Sequence, residues 1–458
     1  MRRMSNRMLL RVIRLCLIAV LGLGLSDANA AGPEYLLNES PAPTSTDAIT
    51  SPMKKEFEVI EKKPSEFPSL KERLKDLNPF FRDTSLNLKI RSYYFYKDFD
   101  NPDEKNEAWA LGGWLDYESG WWNDRIKIGA TGYTSQKLYG PDDRDGTLLL
   151  APGQEGIEVI GQAYLIGRLM DDVKLRLFRQ AFDLPFVNKQ DNRMIPNTFE
   201  AYSLVGRSIC KTDFIFSHLT RMKTRDSSDF KYMSEVAGVP NSSEGLTMGG
   251  FYYSFSKAFS IGAINQYGWD TWNTLYADGK ANWDLGKGLG LRISAQYIDQ
   301  QSVGDELAGD FSTYAFGAQA AMSYRNALLT FAYTTTDEGS ETQSPFGGHP
   351  SYISLMIKDF NRAGEDAWLV GLSYDFSRIG LDGLNAFGRY AYGNTPDSRA
   401  VASPDQDELD LTVDYRFKEG FLKGLWLRLR GAYLDQEGPE ARDVTNIRVI
   451  LNYDIQIL

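Results

Sequence analysis

Residues 446–457 read NIRVILNYDIQI. Ile447, Val449, Leu451, Tyr453, Ile455 and Ile457 fall on one parity. Asn446, Arg448, Asn452, Asp454 and Gln456 fall on the other, with Ile450 the single apolar exception. A helix would set Ile447 and Arg448 only about 100° apart and blur these faces, whereas an extended chain keeps them on opposite sides. The stretch is therefore a strand with one greasy and one wet face. Working back along the chain, Leu425, Leu427, Leu429 and Tyr433 alternate with Trp426, Arg428, Arg430 and Ala432. Leu409, Leu411, Val413, Tyr415 and Phe417 alternate with Glu408, Asp410, Thr412, Asp414 and Arg416. Near the other end, Leu86, Leu88, Ile90, Tyr94 and Tyr96 alternate with Asn87, Lys89, Arg91 and Tyr93.

About eighteen such segments succeed one another between residues 85 and 458, with no linker among them. An even number lets a closed antiparallel barrel begin and end on the same side of a membrane. Short turns (Asn123-Asp124, 377–383, 418–423) alternate with long polar loops (135–157, 224–245, 336–365, 435–445), the asymmetry of outer-membrane barrels. Aromatic residues make up 13% of the chain. Many sit at segment ends: Tyr93, Tyr94 and Tyr96, Trp121 and Trp122, Tyr252 and Tyr253, Trp269 and Trp272, Tyr390 and Tyr392, and Tyr453. Rings with an apolar body and a polar tip suit the two lipid–water boundaries. The fold class expected is all-β: a transmembrane up-and-down barrel whose closure satisfies every ladder hydrogen bond.

The N-terminus carries an address. Arg2, Arg3, Arg7, Arg11 and Arg14 precede an apolar run at 15–25 and a small-x-small site, Ala28-Asn29-Ala30. Residues 1–30 read as a secretory signal peptide, the apolar run being too short to span about 30 Å of hydrocarbon. Cleavage removes five arginines and Asp27, taking the net charge from −11 to −15 and leaving Cys210 as the one cysteine. A disulfide framework and a thiolate metal site are excluded, two histidines cannot build a His-rich site, and so acidic a chain does not suit nucleic acid. No metal and no cofactor are expected. Residues 31–84, with seven prolines up to Pro79 and charged stretches at 53–63 and 69–77, form an extended periplasmic segment with one or two short helices.

If the apolar parity meets lipid, the polar parity encloses a water-filled lumen. Period two then places Lys89, Arg91, Arg389, Arg416, Arg428, Arg430 and Arg448 inside, on neighbouring strands, because the first strand must close against the last. A basic strip in an acidic protein is not a product of composition. Cations spaced along a confined path offer carboxylates successive, exchangeable partners; the competing role is bracing of the wall through Asp410, Asp414 and Asp454. Residues 182–199 (FDLPFVNKQDNRMIPNTF) have two prolines and no alternation. They read as a constriction loop folded into the lumen, lined by Asp183, Asn188, Asp191, Arg193 and Asn197.

Several long segments, in order, resemble the OprD family of Gram-negative outer-membrane porins: 85–99, 184–202, 344–376, 403–417, 422–438 and 441–455. The likeness covers essentially all of 85–458. It implies an eighteen-stranded barrel in the cell outer membrane, passive and substrate-selective diffusion of small solutes bearing a carboxylate, and a basic ladder past a narrow eyelet. Arg428, Arg430 and Arg448 match that ladder in the last two strands and Arg91 matches in the first. The partners implied are outer-membrane lipid and lipopolysaccharide, carboxylated solutes and the barrel-assembly machinery, with the porin a monomer or weak trimer. The segment before Ser85 is outside the family core, and the chain ends on Leu458 where barrels commonly carry an aromatic. An outer-membrane enzyme of serine-peptidase type is one alternative. It would need His218 or His349, and no G-x-S-x-G is present. His218 shares parity with Phe214 and Phe216, a wall position, while His349 lies in a Gly/Pro loop expected to be exposed. A plugged structural barrel is the other alternative.

Overall fold

A computed structural model describes residues 67–100, 104–398, 400–438 and 442–458. The signal-peptide reading of 1–30 and most of the proline-rich segment lie outside these residues. Eighteen antiparallel strands form one wall. In chain order they are β1 (Ser85–Asp98), β2 (Lys105–Glu118), β3 (Ile126–Tyr139), β4 (Ile157–Met170), β5 (Val173–Gln180), β6 (Thr198–Ile209), β7 (Thr212–Lys223), β8 (Leu246–Ser254) and β9 (Phe259–Gly268). They continue with β10 (Trp272–Gly286), β11 (Leu289–Ser302), β12 (Ser312–Tyr324), β13 (Ala327–Thr336), β14 (Asp366–Asp375), β15 (Leu384–Asn394), β16 (Gln406–Arg416), β17 (Leu425–Gln436) and β18 (Val444–Gln456). A two-residue bridge, Lys231–Tyr232, decorates the end of β7. The wall closes where β1 pairs with β18, from Asn87↔Gln456 to Asp98↔Thr445.

Closure fixes which parity faces lipid. Ile90, Leu111, Leu115, Phe216, Phe331, Leu411, Leu429 and Ile447 point out and remain exposed. Such a surface would be unstable in water and suits a hydrocarbon surround. On the other parity Arg91, Asp410, Thr412, Arg428, Arg430, Asn446, Arg448 and Asn452 are buried inside. Turns at one rim are tight. Cys210-Lys211 and Lys287-Gly288 place two consecutive residues at positive φ, the requirement of a two-residue hairpin whose twist matches its strands. Gly113 also has no substitute: its φ is +135° and an added Cβ would lie 1.9 Å from the Lys89 carbonyl oxygen.

Three expectations need correction. Tyr93, Tyr252 and Trp272 do not join a girdle; each turns inward and is buried, because their strands bring them to the lumen parity. Tyr94, Tyr96, Tyr390 and Tyr392 lie on the outward parity instead. The long loops at 140–156, 224–245 and 337–365 are not simply polar and external. Leu149, Leu150, Met233, Phe346, Tyr352, Ile353 and Phe360 within them are buried, packed with lumen-facing wall residues. His349 is likewise buried, with its ring 5.5 Å from that of Phe186.

In the segment before β1, two short helices are described: α1 (Pro68–Leu74) and α2 (Pro79–Arg82). The α1 helix buries nothing. The α2 helix sits at the turn between β2 and β3, where Gly120 N–H donates to the Phe80 carbonyl (2.8 Å).

Candidate functional site

Register orders the lumen's basic side chains by height. Arg389 pairs across to Asp410, which is level with Ala432 and Asn446 and so with Lys97. One step toward the tight-turn rim, Thr412, Arg430, Arg448 and Phe95 are level. Asp414 and Arg428 follow, level with Ile450 and Tyr93. Next come Arg416, Trp426, Asn452 and Arg91, and last Asp454 with Lys89. All seven basic residues read from sequence thus lie on one wall formed by β15–β18 and β1. Lys97 belongs with them. Its parity equals that of Lys89 and Arg91, so sequence could have supplied it.

Aromatic faces hold several of these cations in place. Lys89 and Arg91 lie 4.7 and 5.0 Å from the Trp114 ring. Arg416 and Arg428 lie on Trp426 at 4.8 and 4.5 Å. Arg193 and Arg448 lie on Phe95 at 4.8 and 5.2 Å. Such contacts orient a guanidinium without neutralising it. Carboxylates pair with three of the wall cations: Lys89 with Asp454 (3.2 Å), Arg389 with Asp410 (2.8 Å) and Arg428 with Asp414 (2.6 Å).

The loop between β5 and β6 (residues 181–197) fills the far side of the lumen. Phe182, Leu184, Phe186 and Val187 pack with Trp272, Tyr276, Ile298 and Ala315 of β10–β12 and with Phe346. Its hydrophilic half faces the basic wall. Arg91 donates from Nη1 and Nη2 to the two oxygens of Asp191 (2.7 and 3.2 Å) and from Nε to Asn452 Oδ1 (2.8 Å). Burial pushes the Asp191 carboxyl up, but the Arg91 guanidinium outweighs it and leaves it below the usual carboxylate range. Arg193 donates from Nε to the Thr147 carbonyl (2.8 Å) and from Nη1 to the Asn192 carbonyl (2.9 Å). Of the other three expected lining groups, Asp183 and Asn197 hold the loop's own shape, and Asn188 also reaches Gly348. Asp183 pairs with Lys189 (3.0 Å). Asn188 donates to Leu184 O (3.2 Å) and Gly348 O (3.0 Å) and accepts from Gly348 N–H (2.9 Å). Asn197 donates to Asn188 O (3.4 Å).

A second loop reaches the same place. Residues 337–365 bring their tip to the basic wall, where Glu408 accepts from Ile357 and Lys358 N–H (2.8 and 2.9 Å) and Asp410 accepts from Met356 N–H (3.1 Å). Arg448 Nη2 donates to the Met356 carbonyl (2.9 Å). Lys223 Nζ donates to the Pro196 and Thr224 carbonyls (2.9 Å each), tethering the end of the first loop. Arg225 also enters the site: it donates to Asn192 Oδ1. Neither Arg225 nor Lys358 sits in a periodic segment, so alternation gave no hint of them. Burial, followed by the field of Arg448, lowers Arg225 to about 10.

The family model for outer membrane porins of the OprD family matches residues 78–457. The chain belongs to the OprD family of outer-membrane porins. Porin D of Pseudomonas aeruginosa is 23% identical over 414 residues, covering 83% of this chain and 92% of that one. Among solved structures, OccK9 (OpdG) of P. aeruginosa is similar at a TM-score of 0.76 and 26% identity, covering 83% of this chain and all of that one. OpdK of P. aeruginosa, in a structure with vanillate, gives 0.75 and 22%, covering 82% and 100%. A BenF-like porin of Pseudomonas fluorescens gives 0.74 and 20%, with the same coverage. This OprD-family porin therefore lies in the outer membrane, its apolar face in lipid, and passes small solutes. The two histidines are engaged in packing and hydrogen bonds. His218 faces outward with Nδ1 2.9 Å from Thr247 Oγ1, and His349 Nε2 is 2.6 Å from Thr342 Oγ1.

Proposed function

We propose that this porin conducts small carboxylate-bearing solutes by passive diffusion, without catalysis, along the wall of β15–β18 and β1. The observation that carries this reading is the vertical order of the cations: Lys97 and Arg389, then Arg430 and Arg448, then Arg428, then Arg416 and Arg91, then Lys89. A carboxylate can pass from each level to the next while keeping a charge-assisted bond, so no single station holds it too tightly to leave. Two inserted loops, 181–197 and 337–365, press the path against that wall. Vanillate in the OpdK structure, itself a carboxylate, agrees with this reading.

The test is a planar-bilayer reversal potential under a salt gradient, together with liposome swelling in a panel of organic acids and sugars. Replacing Arg428, Arg430 and Arg448 with Gln should shift selectivity toward cations and slow acid uptake several-fold, with neutral sugars little changed. Unmoved reversal potentials would refute the ladder's role.

A further inference from the structure

The counter-charges along this wall are uneven, and the unevenness narrows the solute class. Arg91, Arg389, Arg428 and Lys89 each have a carboxylate partner. Four other guanidiniums have none within 4.0 Å among the described residues: Arg430 and Arg448 on the wall, and Arg193 and Arg225 on the loops. Their acceptors are neutral. Arg430 Nε donates to Thr412 Oγ1 (3.2 Å), and Arg448 donates to Asn446 Oδ1 (2.6 Å) and Met356 O. Arg193 and Arg225 both donate to Asn192 Oδ1, the former at 3.4 Å.

Two features make this more than a gap in pairing. Arg430 and Arg448 are direct cross-strand partners, a placement in which like charges destabilise a sheet. Arg430, Arg448 and Arg193 are 6%, 3% and 9% exposed, so water screens them less than it does surface arginines. Nearby wall positions carry Asp410 and Asp414, so carboxylates were available to this wall and are absent at this level.

Resting on the carboxylate reading above, we infer that the quartet is a station for an anion bearing two or more carboxylates. The wall pair Arg430/Arg448 takes one carboxylate, and the loop pair Arg193/Arg225, joined through Asn192, takes another. One carboxylate would offset a single charge and leave most of the repulsion in place. Two halve the charge of the four guanidiniums, three leave only one uncompensated, and two suffice to give each guanidinium pair a planar, bidentate partner.

Single-channel recording with the mature chain tests this. Succinate, tricarballylate, butyrate and sulfate are added in turn to the long-loop side, and the half-blocking concentration is read for each. Succinate and tricarballylate should block at concentrations at least about tenfold below butyrate. The Arg430→Gln/Arg448→Gln double variant should erase that advantage. The Arg193→Gln/Arg225→Gln variant changes only loop residues, leaves the wall intact, and should do the same. Equal block by succinate and butyrate, with acids still passing, overturns this inference and leaves the carboxylate pathway standing. No block and no passage for any acid sinks the pathway itself. Sulfate matching succinate would make the station a general dianion site and overturn the dicarboxylate assignment. A persistent succinate advantage in both double variants would overturn its placement.

Discussion

His349 shows how much one side chain can control. Its Nδ1 faces Ser351 N–H at 3.3 Å and therefore accepts, so Nε2 carries the hydrogen and donates to Thr342 Oγ1. The ring is neutral and packs edge-on to Phe186 of the facing loop. Burial makes it less basic than an ordinary imidazole, with the Asp359 carboxylate opposing. Because its basicity in the folded state lies below that of a free chain, its contribution is fully present above the ordinary value of about 6.5 and is lost as pH falls below it. Open-channel current noise should therefore rise over the window in which pH falls below about 6.5, and this rise should vanish in His349→Gln. Equal noise in both proteins across that window would refute it. Asp191 supplies a second prediction. Asp191→Asn leaves Arg91 without its buried partner, at a cost of about 3 kcal/mol. The expected outcome is more frequent brief closures in single-channel records, with the barrel's heat resistance on gels unaltered.

At the scale of elements, Asn188 supplies side-chain hydrogen bonds between the two inserted loops, beside the packing of Phe346 and His349 on the first loop. Asn188→Ala removes its bonds to Leu184 and Gly348, worth about 1–3 kcal/mol together. Hydrogen exchange in 181–197 and 344–350 should quicken together, and independent behaviour of the two loops would contradict the bridge. The strands were legible because alternation states directly which side each residue faces. The sequence-read segment 446–457 and the strand Val444–Gln456 differ only at the margins. The loops were less legible. Phe182, Leu184 and Phe186 could have been noticed as apolar residues in a proline-rich segment, yet nothing local says that they pack on Tyr276 or that Phe346 meets them from 160 residues away. Inward parity placed Arg430 and Asp410 on the same wall but could not say which cation would find a carboxylate. That depends on register, which a single strand does not encode.

For the whole molecule, α1 and α2 bear on what the segment before Ser85 does. The α2 helix rests against the β2–β3 turn and α1 buries nothing, so the described part of this segment lies at the rim. A chain starting at Asp83 should conduct as the mature chain does. A large gain in conductance would instead make the segment a plug.

The pairing of β1 with β18 has a consequence for biogenesis. The first hairpin to emerge during synthesis must keep one flank unoccupied until the last one arrives, since its neighbour on that side is some 350 residues downstream. A nascent wall thus carries a raw seam through almost the whole of its translocation. Deleting β18 would leave two such flanks bare at once, and the product should be cleared by periplasmic proteases instead of accumulating as a smaller channel.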